Sequence, residues 1–140
     1  MANNLLNLKP ADRVVIPKTE FQIVQHHGIY LGQNSLGTHL FAENNIGSGV
    51  KILSADNFFG KTKLITRIEK FQGSISERNE CIKRALALQG KTYDLLEFNC
   101  EHYSNIIQHN TSTSSQVNNG IILSFMALAI GGLIWSNNGA

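Results

Sequence analysis

The polar and apolar positions along the chain fall into two regimes. In the first half, short β-rich runs are punctuated by turn residues. Pro10 and Pro17 bracket Arg13-Val14-Val15-Ile16, a short β-branched strand, and the partly alternating run from Phe21 to Leu31 (FQIVQHHGIYL) reads as a second. Gly32–Gly37 carries turn chemistry, so Thr38–Ala42 is expected to return as the other arm of a hairpin. A second turn over Asn44–Gly49 leads to a strand at Val50–Leu53; Phe58-Phe59-Gly60 falls in a loop or short turn, and Lys63–Ile68 is a further strand. The pattern is that of an antiparallel meander.

The period changes at Ser74. Ser74 and Glu77 have capping-box spacing, with Ser76 as an alternative cap, and Ile82, Ala85, Leu86 and Leu88 form a helical stripe that Gly90 closes as the C′ residue. A second helix starts at Asn99-Cys100, with Tyr103, Ile106 and Ile107 on its buried side. Strands followed by helices indicate an α+β domain over residues 1–109. Residues 110–119 (NTSTSSQVNN) read as a polar, flexible linker, and no internal repeat is present. Residues 120–136 hold an apolar helix, whose core Ile121–Trp135 is interrupted only by Ser124.

Charge sharpens this division. The twelve basic and ten acidic residues all lie between Lys9 and Glu101, so the chain is normally charged up to that point and uncharged beyond it. With a net charge of +2 and no Lys/Arg cluster, nucleic acid is excluded as a partner on electrostatic grounds. Fifteen helical residues span roughly 22 Å, short of the ~30 Å hydrocarbon core, a length that also suits a buried helix or an oligomer contact. The segment is nevertheless apolar around its whole circumference, lies beyond a polar linker and ends in Trp135, as an interfacial aromatic would. A C-terminal membrane anchor is therefore expected, with the body on the cytoplasmic side where it was made. The N-terminal MANNLLNLKPADR has neither the basic flank nor the apolar run of a secretory signal, and Cys81 and Cys100 are expected as free thiols.

Cys100 is the centre of chemical interest. It follows a capping-type Asn99 and opens a helix, where the positive end of the dipole favours a thiolate. A nucleophilic cysteine needs a base, and the base an orienting group. His26, His27 and His39 lie on the two arms of the expected hairpin. Neighbours on a strand face opposite ways, so only one of His26 and His27 can serve a given face, and His39 could reach that ring from the return strand. Cys81 reads as a packing residue and His109 as solvated. A zinc site from His26 or His27, His39, Cys100 and His102 lacks the paired ligand spacing of a structural finger.

The stretches HHGIYLG (26–32), THLFAEN (38–44) and GKTYDLLEFNCEHYSN (90–105) resemble the lecithin:retinol acyltransferase family, which includes the small phospholipase A/acyltransferase enzymes. The similarity covers roughly residues 10–108, and its most specific element is Asn99-Cys100-Glu101-His102 with the aromatic Tyr103. The resemblance implies a circularly permuted papain-like domain, an antiparallel sheet packed with helices, in which histidines precede the nucleophile. It assigns Cys100 as nucleophile, His26 as base and His39 as the histidine that orients the base, with Tyr30 part of the strand motif. His27 fills a slot that is aromatic in the family, which leaves the base open between His26 and His27, and the His26–His39 gap is one residue longer than usual. Members often carry a C-terminal anchor. The implied reaction is acyl transfer from a glycerophospholipid through a Cys100 thioester to water, an amine or an alcohol, at the membrane and without cofactor or metal. N–H groups at the start of the Cys100 helix would help hold the oxyanion. The alternatives are a cysteine peptidase or amidase of related fold and a catalytically silent, membrane-tethered interaction module.

Overall fold

β-branched and aromatic residues alternate between two faces of each strand, and the sheet they form is covered on both. The computed structural model of the chain describes residues 5, 7–18, 24–62 and 64–120. Its strands are β1 (Arg13–Pro17), β2 (Gln25–Gln33), β3 (His39–Asn45), β4 (Gly49–Ser54) and β5 (Arg67–Glu69), in the order β4-β3-β2-β1-β5 and antiparallel throughout. The helices are α1 (Ala55–Phe59), α2 (Ile75–Ala87), α3 (Cys100–His109) and the short α4 (Ser115–Asn118). The α+β class, with an antiparallel sheet followed by helices, is as expected.

Alternation sorts the core into two clusters. Ile29, Ala42 and Val50 point to the face covered by α2 and α3, where they meet Cys81, Ala85, Phe98, Tyr103 and Ile107. Val14, Ile16, Tyr30 and Phe41 point the other way, toward Ala55, Phe58 and Phe59 of α1. Phe58 and Phe59 thus anchor a helical turn rather than a loop: Ser54 caps α1, and Phe58 stacks on Phe41 with ring centroids 4.6 Å apart. The ring of Phe58 lies over Gly28, where a Cβ would come within 2.4 Å of it.

Several boundaries differ from the sequence reading for identifiable reasons. β3 runs on through Glu43, Asn44 and Asn45, because ladder pairing with β4 continues to Asn45↔Gly49 where turn residues alone had placed the bend. β5 is only Arg67–Glu69, since it pairs with β1 over that span alone. α2 starts on the Ser74/Glu77 capping box, but its C-cap is Leu88, with Gly90 two residues further on. Its buried face is centred on Cys81 and Ala85, while Leu86 is half exposed, because helix α3 packs against that side. Residues 110–119 are not a free linker among the described residues: Ser114 caps α4, and Ser114 and Gln116 are buried. The N-terminal end of the expected second strand and the apolar segment Ile121–Trp135 fall outside the described residues. Among the described residues no helix is long and apolar enough to cross a membrane.

The segment leading to α3 is tied to the sheet edge at Gly49-Val50. Val50 N donates to Lys91 O at 2.9 Å, and Gly90 N donates to Val50 O at 3.0 Å. Gly49 has φ +66°, and a Cβ there would sit 2.4 Å from the Lys91 carbonyl oxygen, a backbone atom that cannot rotate away. Gly49→Ala should therefore destabilise the domain by roughly 2–4 kcal/mol, combining left-handed strain with the clash. Urea denaturation measures this, and a loss below about 1 kcal/mol would show that the 90–92 segment yields.

Candidate active site

Helix α3 begins where its first residues can be capped completely. Asn99 is fully buried and extended; its Oδ1 accepts from the backbone N–H of Glu101 at 2.9 Å and of His102 at 3.0 Å. His102 Nδ1 returns the favour by accepting from Asn99 N at 3.2 Å, a capping box with histidine in the place usually taken by Glu or Gln. Asn99 Nδ2 donates to Leu95 O and Ser114 Oγ. The Asn-Cys-Glu-His motif thus has a local physical cause: it holds Cys100 as the first residue of a helix, at the positive end of the dipole. The cap also takes up the Glu101 and His102 N–H groups, so Cys100 N–H is the first-turn donor it leaves for an oxyanion.

The Cys100 thiol meets the start of β2. Its Sγ donates to Gln25 O at 3.6 Å, and it lies beside the His26 ring and the His27 backbone N–H. His26 projects to the α1 side of β2, its ring centroid 5.7 Å from that of Phe58. His26 Nε2–H donates to Glu43 Oε2 at 2.6 Å, both side chains being about 6% exposed. That leaves Nδ1, which has no conventional partner among the described residues, as the nitrogen available to the thiol.

Burial opposes charge on both partners, and the partners overcome it. Desolvation pushes His26 down, but Cys100 and Glu43 raise it to about 9. Desolvation likewise pushes the Cys100 thiol up, but His26, the His27 N–H and Lys18 bring it below the usual thiol range. The arrangement is a buried cysteine–histidine pair with the Glu43 carboxyl behind the ring, the thiol and the imidazole each shifted toward its charged form. His27 faces the opposite side of the sheet. Burial and the nearby Arg13 hold it well below the ordinary histidine range, against the pull of Glu101. It is a neutral ring packed in the core, and its geometry does not bring it to the thiol as a base.

His39 is not where the sequence reading expects it. The register runs Gly28↔Glu43, Ile29↔Ala42 and Tyr30↔Phe41, with an irregularity before Gly32↔Leu40 and Gln33↔His39. His39 is thus paired near the far end of β2, on the order of 20 Å along the strand from His26. Gln33 Nε2 donates to His39 Nε2 at 3.0 Å, which leaves His39 Nδ1–H for the Tyr30 hydroxyl at 2.7 Å. The residue diagonal to His26 is Glu43, two positions beyond Phe41 on the same face. The expectation that β3 ends at Ala42 hides it; extending the alternation His39, Phe41, Glu43 by one step would have exposed an acid facing His26.

Glu101, the residue after Cys100, is buried too. Its carboxylate accepts from Ser114 Oγ at 2.6 Å, Ser115 Oγ at 2.7 Å and Gln116 N at 3.0 Å. Against its own desolvation, these donors hold it well below the usual carboxylate range. Cys81 and Cys100 are both free, Cys81 packed in the core and His109 exposed. Among the described residues no cluster of three His, Cys, Asp or Glu side chains is placed to hold a metal ion.

A family model described as lecithin retinol acyltransferase matches residues 6–113, most of the chain and all of the site. The chain belongs to that family. No curated protein matches the sequence. Lecithin retinol acyltransferase domains are associated with acyltransferase and phospholipase-type activity on phospholipids, which gives the lipid-metabolic setting at the level of the family.

Because the His26 pKa is raised, its ring should stay protonated from well below pH 6.5 up to about 9. His27, shifted the other way, should remain neutral across the same range. Nitrogen-15 histidine NMR through pH 5–10 reads both rings. Glu43→Gln should lower the His26 midpoint by roughly one pH unit or more. A wild-type His26 midpoint near 6.5 would contradict the ion pair.

Proposed function

We propose that the protein is a thiol acyltransferase with phospholipase A-type activity, acting on glycerophospholipid esters through a Cys100 thioester. What carries this reading is the buried relay Cys100–His26–Glu43 at the capped start of α3, inside a lecithin retinol acyltransferase domain. We read the domain as the permuted papain-like arrangement, in which histidine-bearing strands precede the nucleophile helix.

The Cys100 thiolate attacks the ester carbonyl carbon, forming a C–S bond and a tetrahedral oxyanion near the Cys100 N–H. Collapse breaks the ester C–O bond, and the His26 imidazolium gives its Nδ1 proton to the departing lysophospholipid oxygen. In the second half, neutral His26 takes a proton from water, an amine or an alcohol as that acceptor attacks the thioester, and Cys100 leaves as thiolate. Glu43 accepts from Nε2–H throughout, holding the ring in place and stabilising its charge in a buried site. The reading needs no cofactor. Ile121–Trp135 serves as a membrane anchor that holds the domain, on the cytoplasmic side, at the surface where its substrate resides.

Phosphatidylcholine vesicles labelled in the acyl chain test the reading. The wild-type chain should release fatty acid and lysophospholipid, Cys100→Ala and His26→Ala should lose all detectable release, and Glu43→Gln should lose about 10- to 1000-fold. Full release by Cys100→Ala, or turnover confined to peptide substrates offered in parallel, would overturn it, the second outcome favouring the peptidase alternative.

A further inference from the structure

The start of β2 poses a hydrogen-bonding problem that the sheet does not solve. Pairing between β2 and β3 ends at Gly28↔Glu43, and Gln25 forms a non-hydrogen-bonded pair with Pro17 of β1, so its backbone N–H and C=O point to the side that β3 has left. The Gln25 peptide finds partners off the sheet. Its N–H donates to Gln116 Oε1 at 3.2 Å, and its carbonyl accepts from Gln116 Nε2 at 3.4 Å. One carboxamide thus bonds both backbone groups of one residue. The same Gln25 carbonyl is the acceptor of the Cys100 thiol at 3.6 Å.

Gln116 is well placed to hold that position. Its side chain is buried, and its own N–H is bound by Glu101, which also collects the hydroxyls of Ser114 and Ser115. Ser114 in turn accepts from the Asn99 amide that caps the nucleophile's helix. Segment 114–116 is therefore strapped across the site by the residues on either side of Cys100.

We propose that Gln116 is a positioning residue for the nucleophile: by donating to the Gln25 carbonyl it fixes the atom against which the Cys100 thiol rests and diverts that carbonyl from the thiol proton. A carbonyl that already accepts an N–H is a weaker acceptor for S–H, so the clamp favours the thiolate partnered by His26 over the resting thiol. Without it, the Gln25 carbonyl has one competing donor fewer and holds the thiol proton more strongly, and the Gln25 peptide, next to His26 in the chain, is positioned less tightly. The inference rests on the reading of Cys100 as nucleophile, and its test separates the two.

The test is the pH dependence of Cys100 alkylation by iodoacetamide, which reads the thiolate without any lipid substrate. In the wild-type chain alkylation should set in below the ordinary thiol range; an ordinary titration there would sink the nucleophile reading itself. Gln116→Met keeps volume but neither bond, and should move the profile to higher pH and slow alkylation at pH 7 by about 3- to 10-fold. Gln116→Asn, one methylene too short to hold both bonds, should move it the same way and serves if the methionine variant unfolds. Ser115→Ala loosens the strap but leaves the clamp, and should lower thermal stability without moving the profile. A wild-type profile in both Gln116 variants, or an equal shift in Ser115→Ala, would overturn the assignment to Gln116 while leaving Cys100 as nucleophile.

Discussion

The Asn99 carboxamide is buried, and its hydrogen-bonding capacity is fully spent: Oδ1 accepts from Glu101 and His102, and Nδ2 donates to Leu95 and Ser114. A buried amide left short of a partner costs roughly 1–3 kcal/mol, so these four connections form or fail together. They cap α3, fix the turn before it and reach the strap after it. Cys100 follows directly and takes from this cap its place at the positive end of the helix. The relay of charge behind it follows from the sheet.

That sheet places two adjacent histidines in opposite chemical states. Strand alternation turns His26 toward Phe58 and Glu43, and His27 toward the helix face beside Arg13 and Glu101. Both rings are desolvated to a similar degree. The neighbours decide the outcome: Cys100 and Glu43 raise the proton affinity of one ring against its burial, whereas burial and the Arg13 guanidinium together lower that of the other. A sequence in which His27 occupies an aromatic slot is physically reasonable on these terms, because a neutral imidazole is a flat, largely apolar ring.

Much of the fold was legible because alternation and capping are local. The strand cores at Val14, Ile29 and Val50, the Ser74 capping box and the start of α3 at Asn99 are written in short spans of sequence. The partner of His26 was not, since it depends on register across a hairpin: residue types alone put a turn at Asn44-Asn45, while pairing with β4 carries β3 past Glu43. His39 instead found Tyr30 and Gln33, neighbours that only the paired strands bring within reach. The strap was missed for a different reason. Ser114, Ser115 and Gln116 look like linker residues until the buried Glu101 carboxylate that they satisfy is seen.

The central claim is that Cys100 accepts an acyl group as a thioester, and intact mass spectrometry of the protein after brief mixing with phosphatidylcholine vesicles addresses it most directly. The account predicts an added mass of one acyl chain, mapped to Cys100, removed by neutral hydroxylamine and absent from Cys100→Ala. An adduct that survives hydroxylamine, or one of equal yield in Cys100→Ala, would contradict it.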